Sequence, residues 1–304
     1  MSSPSGMECR SGRSPPLRVA DVLTPTNDSS SAHHFARPTL VEQMLTAFDS
    51  GGLVNRLTLF APRGHGKTAF LRCDLAPAAE KAGYNILYVN LSSNPNAPQQ
   101  VLLRALREAT AGGGVKSWRH LAGDRLHEAQ IQGSIEADPE MAVAMGPRRC
   151  TSEELQQINY LLNHLCRGKG AGRTLLLLDD FDRFADAAFE PIIYSLRTLL
   201  DRLRDNIKVV FTGSSRHALS SMFNDSSAPF FLSSTSIDLP PLGRDFVEYE
   251  CDAFENQRKR ALDRRAAWVA FQDVHRCPER FIHMLIAMGD NPDLNFETAR
   301  GETP

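Results

Sequence analysis

No stretch of this 304-residue chain approaches ~18 uninterrupted apolar residues, which excludes a membrane-spanning helix. Neither charge is in excess: 34 Lys and Arg against 36 Asp and Glu leave a formal net charge of −2. Nothing global therefore draws the chain to nucleic acid or anionic lipid. Its six cysteines (Cys9, Cys73, Cys150, Cys166, Cys251, Cys277) are scattered, with no Cys-x-x-Cys pair. That excludes the usual zinc spacing and a disulfide framework, and predicts reduced thiols in a cytoplasmic protein. The nine histidines show no His-x-x-x-His ligand spacing. The N-terminus has no apolar core of a secretory signal. No Asn/Thr-Lys-x-Asp signature for guanine occurs, which tilts any nucleotide base toward adenine.

What is present is the composition of an ordinary globular protein, 42% hydrophobic and 23% charged. The length suits one large α/β domain with a smaller appendage. Residues 1–30 are rich in Ser and Pro and are expected to be a disordered leader. From Pro38, Thr39-Leu40-Val41-Glu42-Gln43-Met44-Leu45 has helical spacing, ended by Gly51-Gly52. Strands are expected at 56–60, 85–91, 175–178, 207–212 and, more weakly, 236–239, with a helix at 101–109. Strands separated by helices imply a parallel sheet covered on both faces. A stretch of about 111–150 interrupts this alternation and reads as an insertion, with a hairpin from 130–135 and 141–145. After Gly243 the strands stop, and helices are expected near 244–258, 260–273 and 278–288. The predicted organisation is a core over 31–242 and a helical lid over 243–304.

Ala61-Pro62-Arg63-Gly64-His65-Gly66-Lys67-Thr68 matches the phosphate-binding loop Gly-x-x-x-x-Gly-Lys-[Ser/Thr] except at its first position. Glycines let backbone N–H groups curl round a phosphate, and the following helix N-terminus adds its dipole. Lys67 can reach the β- and γ-phosphates, and Thr68 can coordinate Mg²⁺. An apolar strand before the loop and Ala69-Phe70-Leu71 opening a helix after it supply the required context.

Leu175 to Leu178 precede Asp179 and Asp180. A buried strand delivers both carboxylates to the C-terminal edge of the sheet, where ligands bind in such folds. Asp179 is the candidate for Mg²⁺, directly or through Thr68. Asp180 is the candidate to orient or deprotonate water. Two aspartates capping the next helix are the plainer alternative, and Asp182 reads as such a cap. The strand 209–211 ends in Thr212-Gly213-Ser214-Ser215-Arg216. Thr212 and Ser214 could hydrogen-bond the γ-phosphate or lytic water and Arg216 could reach the same charge, although Ser and Thr there are also ordinary helix caps.

With these parts in this order, the chain resembles the AAA+/STAND class of P-loop ATPases, especially the archaeal-type ATPase domain. Phe35-Ala36-Arg37 resembles that family's entry segment, with Arg37 near the nucleotide base. Arg276-Cys277-Pro278 lies where the family has a Gly-x-Pro turn, with Arg in place of Gly. The resemblance implies sheet order 5-1-4-3-2, a lid that moves with nucleotide, and ATP with Mg²⁺ as cofactors. It implies a homo-oligomer or protein partner, whose arginine often completes the site; Arg197 and Arg202 are candidates. The Arg258-Lys259-Arg260 and Arg264-Arg265 cluster suggests nucleic acid, but interleaved Glu255 and Asp263 favour a solvated helix. Two functions remain: a nucleotide-dependent switch, or a DNA-associated motor or helper ATPase of a recombination, transposition or defence complex.

Overall fold

The computed structural model describes residues 33–50, 54–111, 146–167 and 172–299. The leader, the Gly51-Gly52 stop and the hairpin fall outside the described residues. Helix α1 (Pro38–Asp49) leads into β1 (Arg56–Phe60), and α2 covers 67–81. Its middle, Phe70–Leu75, is wound as a π-helix. Then follow β2 (Tyr84–Asn90), α3 (Pro98–Ala111), α4 (Ser152–Arg167), β3 (Arg173–Asp179), α5 (Glu190–Arg202), β4 (Ile207–Gly213), α6 (Arg216–Phe223) and β5 (Thr235–Asp238). Helices α7 (Arg244–Arg258), α8 (Arg264–Asp273), α9 (Pro278–Asp290) and α10 (Phe296–Ala299) close the chain.

The five strands form one sheet in the order β2-β3-β4-β1-β5, the 5-1-4-3-2 arrangement expected. Every pairing is parallel. The interior strand β3 shows why. Leu175, Leu176, Leu177 and Leu178 are all fully buried, each stabilising the fold by about 1.5–3 kcal/mol. Alternate side chains go to opposite faces. Leu176 and Leu178 join Val209 and Phe211 under α3, α4, α5 and α6. Leu175 and Leu177 join Leu57, Leu59 and Val210 under α1 and α2. A third apolar cluster, with Phe246, Phe271, Phe281 and Met284, belongs to the four C-terminal helices.

Two departures from the sequence expectation have local causes. Helix α4 was not anticipated, yet Thr151 and Glu154 form a reciprocal capping box. Glu154 N donates to Thr151 Oγ1 (3.2 Å) and Thr151 N to Glu154 Oε2 (2.9 Å). The helix expected from residue 260 begins at Arg264, because the Asp263 side chain accepts from Arg265 N (2.8 Å) and Ala266 N (3.1 Å).

Candidate functional site

The loop between β1 and α2 needs left-handed backbone at two places, and both are glycine: Gly64 at φ +79° and Gly66 at φ +84°. Among the described residues no acceptor takes the N–H of Gly64 or Gly66. Ala61, at the first motif position, is buried and contributes its carbonyl. Lys67 Nζ donates to that carbonyl (2.7 Å) and to Pro62 O (3.1 Å). Burial pushes the Lys67 ammonium below its ordinary pKa, opposed by attraction from Asp180, Asp179 and Asp182. Those carboxylates are the negative charge this cation faces. Pro62, Arg63, Thr68 and Ala69 are exposed, and His65 is half-buried with Nδ1 on Arg63 O (3.1 Å).

Asp179, fully buried at the end of β3, is the hub. Its Oδ2 accepts from Thr68 Oγ1 (2.6 Å) and from Tyr88 OH (2.8 Å). Its Oδ1 accepts from Thr212 Oγ1 (2.5 Å). The parallel register explains the convergence. Asn90 of β2 lies beside Asp179, and β4 runs alongside β3 in register up to Leu178 and Phe211, so Thr212 follows beside Asp179.

Asp180 turns the chain with φ +56°, a conformation that Asp tolerates better than most residues. Its N–H donates to Thr212 Oγ1 (3.0 Å). Its carboxylate accepts from Ser92 Oγ (2.6 Å) and, more weakly, from Ser214 Oγ (3.4 Å). Ser92 Oγ in turn accepts from Arg183 Nε (3.0 Å). Asp182 reaches forward rather than capping its own turn: its Oδ2 accepts from Ser214 N (3.0 Å) and Ser215 N (2.9 Å). It thereby ties the acidic strand end to the polar end of β4.

Arg216 points elsewhere in this conformation. Its guanidinium pairs with Asp238 (3.1 Å) and lies over the Phe60 ring, 3.9 Å from the centroid. Arg37 bridges His65 O (3.1 Å) and Pro240 O (2.5 Å), linking the loop to the segment that leads into the C-terminal helices. Burial lowers its pKa, and Asp74 opposes that shift. Beside it His34 Nε2 meets Asp74 Oδ1 (2.9 Å), and His33 Nε2 meets Glu250 Oε2 (2.7 Å) on α7. The entry segment thus ties α2 to α7. Arg197 is bound to Pro229 O (3.1 Å) and to Asp201, whereas Arg202 is exposed. In the C-terminal basic cluster Arg258 pairs with Asp290, and Arg264 with Asp252 and Glu255. Arg260 donates to Met288 O and Leu294 O.

The C-terminal helices touch the loop directly. Glu279 N donates to Gly64 O (3.2 Å), and Cys277 Sγ lies 3.6 Å from the same oxygen. His275 and Arg276 both have positive φ, +56° and +53°. Arg276 therefore adopts the left-handed backbone that glycine takes without strain. Its guanidinium lies over Trp268, 5.2 Å from the ring centroid.

Sequence reading did not find Tyr88, Ser92 or the bridging role of Asp182. Tyr88 lies inside an apolar strand, and only the register with β3 reveals its target. Ser92 lies two residues past the end of β2, at the same sheet edge as Asp179, which was a usable signal.

No family model matches the chain, and no curated relative matches it either. Solved structures do. The Walker-type ATPase PABY2304 of Pyrococcus abyssi superposes with a TM-score of 0.57 at 14% identity, over 92% of this chain and 73% of that one. The ORC2 protein of Aeropyrum pernix, solved with ADP, gives 0.51 at 18% identity, over 86% of this chain and 66% of its own. The chain thus spans about two thirds to three quarters of those proteins. At these identities the likeness establishes the fold. It is the P-loop NTPase fold, with its five-stranded parallel sheet and flanking helices. Among the described residues no helix is long and apolar enough to cross a membrane.

Proposed function

We propose that this chain binds ATP with Mg²⁺ and hydrolyses it, and that the nucleotide state sets the position of the C-terminal helices and so the chain's assembly with a partner. The observation that carries this reading is the convergence on Asp179 of Thr68 from the loop and Thr212 from β4, beside the buried Lys67. The residues present fit the group. Two left-handed glycines curl the loop, their N–H groups have no acceptor among the described residues, and a buried ammonium stands at its base. Gly64, His65, Gly66, Lys67, Thr68 and Ala69 would cradle the phosphates, between Pro62 and Arg63 on one side and Arg37 on the other. Thr68 and Asp179 would hold Mg²⁺, whose chemistry when bound is to neutralise charge on the phosphate oxygens.

The chain's own residues do the rest. Lys67 exchanges its two carbonyl partners for phosphate oxygens. Asp180, steadied by Ser92, accepts a hydrogen bond from water and orients it. Thr212 fixes Asp179 and the Asp180 backbone together, with Ser214 alongside. Arg216 is a charge donor only after leaving Asp238. Phosphoryl transfer is largely positioning and charge stabilisation, so this set is sufficient in kind.

The switch reading, STAND-like in character, draws on the direct seat of the Cys277–Glu279 turn on Gly64. A lid so placed senses whatever the loop holds. The organisation we propose is a core to residue 242 and a lid from 243. Arg202, exposed on α5, suits a charge offered to a neighbouring copy better than Arg197, which is already engaged. The alternative, a DNA-associated helper or motor, is less favoured because the C-terminal arginines are largely taken up by neighbouring acids and carbonyls. The thiols, with no disulfide among the described residues, suit the cytoplasm. ATP hydrolysis by wild type and Lys67→Ala, with and without DNA, tests both readings. Turnover lost in the variant and indifferent to DNA supports the switch, and salt-sensitive stimulation by DNA selects the helper. Unchanged ATP affinity in the variant removes the site.

A further inference from the structure

Three hydroxyls converge on Asp179, and two of them belong to the nucleotide machinery. Thr68 is the candidate metal ligand, and Thr212 lies on the polar strand end. The third, Tyr88, reaches in from β2, across the sheet from the phosphate loop's own strand.

We propose that Tyr88 is a positioning residue that fixes the Asp179 carboxylate for Mg²⁺, an assignment that rests on the ATP-site reading above. A carboxylate has about four lone-pair sites. Oδ2 spends two on Thr68 and Tyr88, and Oδ1 spends one on Thr212. One acceptor site therefore remains, on Oδ1, and the carboxylate plane is set from both oxygens.

The Tyr88 ring cannot easily follow a moving carboxylate. Tyr88 lies in the middle of a paired strand, opposite Leu177, and the Arg72 guanidinium sits over its ring, 5.7 Å from the centroid. Tyr88 is also mostly removed from solvent, so no water readily takes its place at Oδ2. When the Thr68 oxygen turns to a metal, Tyr88 is the one donor on Oδ2 that stays tied to the sheet. A hydrogen bond to an ionised, buried acceptor is among the stronger kind, so its loss is measurable.

Tyr88→Phe keeps the ring and removes only the hydroxyl, so the packing under Arg72 survives. The binding of ATP in EDTA, the binding of Mn²⁺ to the complex with a non-hydrolysable ATP analogue by electron paramagnetic resonance, and the Mg²⁺ half-saturation of hydrolysis are measured for wild type and variant. The expected result is unchanged ATP affinity in EDTA, with Mn²⁺ affinity and the Mg²⁺ half-point weakened about tenfold, equivalent to about 1.4 kcal/mol. A purely structural role predicts equal losses with and without metal, and that outcome overturns the assignment. So does an unchanged or tightened metal affinity. A wild-type protein that binds no ATP in any condition is a different failure: it removes the nucleotide site itself, and this assignment with it.

Discussion

The backbone N–H of Glu279 donates to the carbonyl of Gly64 across 3.2 Å, so the first turn of α9 rests on the loop between β1 and α2. Gly64 has no room for anything larger. A Cβ there would lie 2.5 Å from Glu279 Oε2 and 2.8 Å from Cys277 Sγ, on a backbone with φ +79°. A Cβ on Gly66 would meet only Arg37 Nη2, at 3.8 Å. The two glycines therefore serve different ends: Gly64 admits the C-terminal helices, and Gly66 supplies a backbone conformation.

This contrast gives the first prediction. Gly64→Ala combines left-handed strain of about 1–2 kcal/mol with displacement of α9 from the loop. It is expected to weaken ATP binding at least tenfold and to increase exposure of the Cys277 thiol to an alkylating reagent. Gly66→Ala carries the strain alone, so Cys277 stays protected. Equal thiol reactivity in the two variants would contradict the docking.

The second prediction concerns the two charges at the centre of the proposed site. Lys67→Ala should abolish ATP binding, because no other side-chain cation donates to the loop carbonyls Ala61 and Pro62 among the described residues. Asp180→Asn should keep binding and stop turnover. Asn is the replacement that tolerates the φ +56° of this position, so the turn survives while the charge goes. Calorimetric binding and phosphate release, measured on the same preparations, separate the two outcomes. Persistent turnover in Asp180→Asn would assign the water-orienting role elsewhere.

Much of this was legible in sequence where the physics is local. The β1 bounds 56–60 and the α7 bounds 244–258 follow from apolar runs and periodicity alone. The sharp turn after β1 declares itself through Gly64 and Gly66, both left-handed in the structure. Helix α4 was legible too, through Thr151 and Glu154, but no element was read there, just past the insertion of about 111–150. What could not be read was the meeting of distant residues. Tyr88 and Asp179 are 91 positions apart. Glu279 and Gly64 meet only because the C-terminal helices fold back over the loop. Register and docking angle decide such contacts, and neither is written in a window of ten residues. The Arg216 pairing with Asp238 shows the converse: a charge placed by sequence near the phosphates has a nearer partner once β5 is in the sheet.

Thr212 gives the third prediction. Its hydroxyl donates to Asp179 Oδ1 and accepts from the Asp180 N–H, so one oxygen couples both acidic residues. Thr212→Val keeps the volume of this fully buried side chain and removes both bonds. It leaves the Asp180 N–H without its partner, at a cost of about 1–3 kcal/mol. Turnover should fall about a hundredfold, while ATP affinity in EDTA changes less than threefold. A parallel fall in both would mean that the substitution disturbs the loop rather than the acidic pair.

The fourth prediction lies away from the site, at the opposite end of β1. Arg56 is buried and donates to Asp201 Oδ1 (2.6 Å), which also accepts from Arg197. Burial works against the charge on Asp201, yet hydrogen bonding and attraction from Arg56, then Arg197, outweigh it and hold the carboxyl below its ordinary pKa. A carboxyl with a depressed folded-state pKa favours the fold while ionised. Its contribution is complete above the unfolded value of about 3.9 and is lost as pH falls through the lower folded value. Asp201→Asn removes that linkage. Asp201 is half-exposed, so solvent screens the pair and the loss at pH 7 should be only about 1 kcal/mol. The sharper sign is in the acid limb: the stability difference between wild type and Asp201→Asn should shrink as pH drops from 5 toward 3. Urea unfolding across that range measures it. A difference that stays constant with pH would mean the pair acts through packing of the Arg56 side chain and not through charge.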